Sequence, residues 1–173
     1  MLGPMDYTPG GFRNLEPGAF HIRNAPPFVQ TSRAHGLAMY VVYESPFAVV
    51  ADTPDAYRTK AGGEAPGFDF IRSVPVAWDE TRAIAGAIGD YVVIARRKGR
   101  DWYVGAMTNE QGRTISLPLD FLGGKRFTAT AWLDGEEPAA VEVRRTAIAA
   151  GNPPPMTLRL APSGGAALHF KAE

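Results

Sequence analysis

Cysteine is absent from the 173 residues. Neither a disulfide framework nor thiolate chemistry is available, and the absence fits cytoplasm and periplasm equally well. Net charge is absent as well: 18 Lys+Arg stand against 18 Asp+Glu, and no basic run is longer than residues 96–98. That balance leaves no electrostatic footprint for nucleic acid and argues against an anionic membrane surface. A long apolar run is missing too. The greasiest stretch, residues 37–43 resuming at 47–51, is broken by Glu44 and Pro46 and falls short of the roughly 20 apolar residues of a spanning helix. Residues 1–6 contain neither the basic nor the apolar region of a signal peptide, so a soluble chain is expected. The three histidines, His21, His35 and His169, share no metal-ligand spacing. There is no Gly-x-Ser-x-Gly elbow, and Gly123-Gly124-Lys125 lacks the rest of a phosphate loop.

Glycine and proline are plentiful, and they divide the chain. Residues 1–30 are punctuated by Gly3-Pro4, Pro9-Gly10-Gly11, Pro17-Gly18 and Pro26-Pro27, and no periodic element fits between them. A structureless stretch of that length is unusual in a self-contained domain, and belongs to a functional loop of a larger body or to a disordered end. Thr31 and Ser32 then offer an N-cap for a helix over 33–44. Ala34, Leu37, Ala38, Tyr40, Val41 and Val42 surround nearly its whole circumference, which marks a buried helix. Ser45-Pro46 is expected to end it. Further helical turns are expected at 47–51, 56–60 and 68–74.

From Val76 onward the hydrophobic period changes to two. Strands are expected near 82–85, 91–96, 102–107, 114–119, 127–133, 141–145, 157–160 and 167–171. The pair around Gly99 reads as a hairpin of β-branched and aromatic residues. Its first strand is apolar at both parities (Tyr91, Val93 and Ala95 against Val92 and Ile94), so it belongs in mid-sheet or at a domain junction. Pro118, turned outward, suggests an edge strand. Short strands at close spacing, separated by Asp-Gly, Gly-Gly and proline-rich turns, indicate a mainly β protein with an antiparallel β-sandwich over residues 76–173. Residues 1–75 form the helical part before it. The helix over 33–44 has too few apolar partners in the sequence to cover it. The N-terminal part is therefore expected to be mobile, wrapped on the sandwich or paired between copies, and a protease to cut first between Met1 and about Trp78.

Three groups of residues could carry chemistry. Asp79 and Glu80 are adjacent, but neighbours in an extended segment point to opposite faces and do not easily flank one substrate bond. Trp78, Trp102, Tyr103 and Trp132 could stack on sugar rings or fill a core. Asp6 and Tyr7, within Met-Asp-Tyr-Thr-Pro-Gly, place a carboxylate and a phenol on a loop just ahead of a buried helix. They are either substrate-adjacent, as on the C-terminal face of a barrel, or Asp6 merely caps a turn.

Several segments resemble glycoside hydrolase family 97. They are Gly-Pro-Met-Asp-Tyr-Thr-Pro-Gly-Gly (3–11), Ser-Arg-Ala-His-Gly-Leu-Ala-Met-Tyr-Val-Val-Tyr-Glu-Ser-Pro (32–46), Trp-Asp-Glu-Thr-Arg (78–82) and the hairpin 89–109. Gly36 departs from the glutamine expected there. The resemblance implies a bacterial α-glucosidase or α-galactosidase family that uses calcium, built from an N-terminal sandwich, a (β/α)8 barrel and a C-terminal sandwich implicated in association. It places this chain at the end of that architecture, as the last barrel loop and helices followed by the C-terminal sandwich. The catalytic carboxylates and calcium ligands are then expected upstream of Met1, and no cofactor within this chain. Two carboxyl groups must flank a glycosidic bond, and only about 75 residues here could belong to a barrel that needs some 200 or more. The chain is thus expected to be catalytically incomplete. Its expected partners are the barrel of the parent enzyme or another copy of itself. The alternative is a non-catalytic module whose exposed aromatics hold α-linked glycans. A periplasmic or secreted location follows if the chain behaves as the parent family does.

Overall fold

Eight strands follow one another with almost no intervening helix. They are β1 (Glu80–Ala87), β2 (Tyr91–Lys98), β3 (Asp101–Thr108), β4 (Arg113–Leu117), β5 (Phe127–Asp134), β6 (Val141–Ile148), β7 (Met156–Leu160) and β8 (Gly165–Ala172). The computed structural model describes residues 7–173. Six strands make one antiparallel sheet in the order β1-β2-β3-β8-β5-β6, and β4 pairs with β7 in a second, two-stranded sheet. The protein is mainly β and antiparallel, as its period-two patterning implies. Each expected strand is present; three of them (β1, β3 and β8) are longer at both ends, whereas β4 ends at Leu117, short of the expected residue 119.

The β2–β3 hairpin turns at Gly99 (φ +60°), between the paired residues Lys98 and Asp101. Glycine adopts that left-handed conformation without steric cost, and the Asp79 carboxylate accepts the Gly99 N–H at 2.7 Å. Between the two sheets lies the main core. Val93, Ala95, Val104, Ala106, Phe127, Leu168 and Phe170 of the large sheet meet Ile115, Leu117, Leu158 and Leu160 of the small one. β3 is the strand covered on both faces, with every residue from Trp102 to Thr108 buried. β2 is covered fully on its Val93/Ala95 face, while Val92 and Ile94 are half-buried.

The outer face of the large sheet is covered by the segment before the strands. Helix α1 (Arg33–Val42) lies across β3 and β8, with α2 (Phe68–Ser73) beside it. Leu37, Tyr40 and Val41 join Tyr103, Trp132, Ala167, Phe12, Tyr57 and Phe70 in a second core. The expectation that α1 lacks partners is therefore corrected: its apolar circumference is buried by the sheet on one side and by the folded N-terminal loops on the other.

Two expected helical turns are absent. The segment at 47–51 is extended, with a parallel bridge from Ala48 to Tyr7. The Val49 and Ala51 N–H groups donate to the Tyr7 and Pro9 carbonyls at 3.3 and 3.0 Å. Backbone donors engaged by a neighbouring segment cannot also close helical turns. The segment at 53–60 forms two successive turns, Ala56 N–H to Thr53 and Arg58 N–H to Asp55. α1 itself ends two residues early, because Tyr43 turns extended (φ −83°, ψ 137°) and packs edge-on against Tyr7.

Candidate functional site at the helix-on-sheet junction

Two glycines set how closely α1 approaches the sheet. A Cβ at Gly105 of β3 would stand 2.6 Å from the Ala38 carbonyl oxygen, and one at Gly165 of β8 would stand 2.6 Å from the His35 Cα. Glycine inside a strand commonly marks such an approach of another backbone.

The helix N-terminus is clasped to the sandwich by side chains far apart in sequence. Ser32 caps α1 by accepting the His35 N–H at 3.0 Å, and its hydroxyl donates to Asp134 at 2.5 Å. Asp134 also accepts the N–H groups of Ala161 (2.8 Å) and Gly165 (2.9 Å). Burial pushes the Asp134 carboxyl above its ordinary range, and these donors pull it back. His35 Nδ1 lies 3.0 Å from the Gly164 carbonyl, so that nitrogen carries the proton, and burial pushes the imidazole below its ordinary value. The Ser32 and Arg33 N–H groups donate to Ser163 and Pro138. Together these contacts satisfy helix-terminal donors that would otherwise be stranded in the junction.

At the other end, Arg96 of β2 donates to the Val42 carbonyl at 3.3 Å, placing a cation at the negative end of the helix. Its burial lowers the guanidinium's affinity for its proton. Arg33 is buried with its guanidinium 4.3 Å over the Phe12 ring, and donates to the carbonyls of Phe12 and Pro66.

Of the candidates read from sequence, Asp6 lies outside the described residues. Tyr7 is half-buried, and its hydroxyl donates to the Met39 carbonyl at 2.9 Å. Burial pushes this phenol up to about 12, against the pull of Arg96, so near neutral pH it is a hydrogen-bond donor. Asp79 and Glu80 converge on one partner: Arg97 lies 3.6 Å from Asp79 and 3.0 Å from Glu80. Lys98 and Arg82 complete this surface ion-pair network. Trp102, Tyr103 and Trp132 are 4%, 6% and 4% exposed. These three rings are covered and offer no open face for stacking, while Trp78 is half-buried and packs edge-on against Tyr103. Trp102 sits in the inter-sheet core, Tyr103 stacks on His169, and Trp132 donates to Asp69 of α2 at 3.1 Å. His169 is satisfied by Asp101 at 2.9 Å.

A cleft of about 650 Å3 opens beside Tyr57, Phe68, Arg58 and Glu64. Its one buried carboxylate, Asp52, is bound by Arg13 at 3.0 Å. Among the described residues no group of three or more His, Asp or Glu side chains converges as a metal site. Among the described side chains, then, none assemble the carboxylate cluster around which a calcium cage of six or more oxygens is built. No described helix is long and apolar enough to cross a membrane.

Residues 77–171 match the family model described as glycosyl-hydrolase 97 C-terminal, oligomerisation. The chain belongs to this family. Its relatives include the retaining alpha-galactosidase of Bacteroides thetaiotaomicron, to which it is 39% identical over 171 residues, covering 98% of this chain and 25% of that protein. A probable retaining alpha-galactosidase of Streptomyces bingchenggensis is 32% identical over 145 residues, with 83% and 20% covered. Among solved structures, a family 97 enzyme from Pseudoalteromonas sp. strain K8 in complex with acarbose superposes with a TM-score of 0.81 at 40% identity, over 99% of this chain and 27% of that one. The chain thus spans about a quarter of the length of these relatives. The family's C-terminal sandwich is the fold described above.

The clasp and the two approach glycines were not singled out from sequence. A signal was present for Gly105, a glycine inside an otherwise β-branched and aromatic strand. For Ser32 and Asp134 there was none beyond a cap and an Asp-Gly turn.

Proposed function

We propose that this chain is the C-terminal, non-catalytic part of a family 97 α-glycosidase of the retaining α-galactosidase type, in which it joins the catalytic barrel to an association domain. One observation carries the reading: α1 belongs to two structures at once. It seals the outer face of the sandwich sheet. It also connects the parallel-bridged segments at Tyr7 and Ala48, the β-α-β connectivity of a parallel α/β layer. Parallel sheets are covered on both faces, yet Phe47, Val49 and Val50 on this pair are 64%, 40% and 43% exposed. The rest of a barrel supplies the missing cover. In this reading the catalytic carboxylates, the calcium and the glycoside are held by the rest of the enzyme, and the sandwich packs on the barrel and associates with further copies.

The test is an assay of the 173-residue chain on aryl α-galactosides and α-glucosides, with and without calcium. No turnover above buffer is expected. Turnover that survives Asp6→Ala would mean a complete catalytic pair inside this chain and would overturn the reading.

A further inference from the structure

We propose that two copies of this chain pair through the free edge of β1 and the adjoining hairpin tip at Ile88. The inference rests on the association reading above and deepens it by naming the surface. Among the described residues the large sheet has two unpaired edges, β1 and β6. An open edge displays unpaired N–H and C=O groups, and proteins blunt it with charge, proline or a bulge.

β6 is blunted by charge. Glu142, Arg144 and Arg145 are exposed along it, and an antiparallel self-pair about its midpoint would set arginines of the two copies against each other, an unfavourable arrangement. β1 differs. Residues 83–89 read Ala-Ile-Ala-Gly-Ala-Ile-Gly, with no charge and no proline. Ala83, Gly86 and Ala87 are exposed, and Ile88 is fully so. The charges that β1 does carry are drawn back onto their own sheet. Glu80 pairs with Arg82 at 2.7 Å and with Arg97 at 3.0 Å, and the Arg82 guanidinium lies 5.1 Å over the Trp102 ring. The bulge between Ala83 and Ala85 is the one protective feature, and a regular register of three pairs follows it to the hairpin tip.

The occupant this edge fits is a second copy. A two-fold antiparallel pair presents the same uncharged segment from both sides, so no like charges meet. It also continues a sheet in which every neighbour is already antiparallel. Main-chain pairing supplies the contact, and the apolar surface continues from Ile88 past Tyr91 to the half-exposed Tyr43 around a cleft of about 550 Å3. The matched family is itself described by oligomerisation.

Sedimentation velocity on the whole chain tests this with three proteins: the unaltered chain, Ala83→Lys/Ala87→Lys, and Phe47→Asp/Val49→Asp. The unaltered chain is expected to dimerise at micromolar concentration. The lysine pair should weaken the dimer about tenfold or more, and the aspartate pair should leave it intact. Mixing the lysine variant with Ala83→Glu/Ala87→Glu should restore dimers, which a merely misfolded variant would not do. If the lysine variant dimerises like the unaltered chain, or the aspartate variant alone dissolves the dimer, the edge is not the interface and the association reading still stands. An unaltered chain that stays monomeric overturns both.

Discussion

His35 shows how one buried side chain sets a pH limit on the junction. Its Nδ1–H is held by the Gly164 carbonyl, and burial disfavours the imidazolium, so its folded pKa lies below the ordinary value. As pH falls through about 6.5 the unfolded chain takes up a proton that the folded chain does not. Stability at that residue is therefore fully present above the ordinary imidazole range and is lost as pH drops toward the folded value. Asp134 acts in the opposite sense at lower pH. Its carboxyl is pushed up, so the folded chain binds a proton before the unfolded one and stability rises as pH falls through that window. Urea unfolding followed from pH 8 to 5 should show a declining limb below the imidazole range that His35→Gln flattens. An unchanged limb in the variant would mean that another group carries it. Charged groups at the surface matter less. Asp79 and Glu80 are held low by their hydrogen bonds to Gly99 and Arg82 respectively, but exposed pairs of this kind contribute little to stability.

Helix α1 is the element on which the molecule turns, and its seat is made of absent side chains. Ala34, Leu37, Ala38 and Val41 are fully buried, and they reach the sheet only because Gly105 and Gly165 carry no Cβ. A methyl group at either glycine meets helix or strand backbone at 2.6–2.9 Å, and backbone cannot swing aside as a flexible side chain can. Gly105→Ala and Gly165→Ala should each destabilise the protein by about 1–3 kcal/mol, the range for overpacking a closed interior. Gly18→Ala serves as a control, since it would meet nothing within 4 Å. Denaturant midpoints read the difference. Equal midpoints for the junction variants and the control would mean that the helix can lift without cost.

Across the whole molecule, the N-terminal part and the sandwich share the second core, so they are expected to resist a protease together. Exposed chain is concentrated in the loops at 16–25 and 58–64, and limited proteolysis should nick there first. Because Ser32, Arg33 and His35 are clasped to Asp134, Pro138 and Gly164, a nick at 16–25 should leave α1 bound to the sandwich on a sizing column. Release of the helix segment from the strands after cleavage would show that the clasp does not hold. Cleavage within the strands before the loops would show the sandwich to be the weaker part.

Period-two alternation marked strands with one buried face, such as β5 and β7, because such a strand must repeat every second residue, while β2 and β3 were marked by their β-branched and aromatic runs on either side of Gly99. The all-round apolar surface of residues 34–42 likewise announced a buried helix, and Ser32 its first turn. Nothing local could say what buries that helix. On its sheet side the residues that do so, Tyr103, Trp132 and Ala167, lie more than sixty positions away, and the Ser32–Asp134 bond spans 102. The same limit explains residues 47–51, whose apolar composition suits a helix or a strand alike until the Tyr7 segment takes up their N–H groups. It also explains the aromatics, since a tryptophan in a strand reads the same whether it faces water or a covering helix. Sequence determined which side chains seek burial and with what spacing. Tertiary structure alone decided which surfaces meet, because that depends on pairing between distant segments that no local pattern encodes.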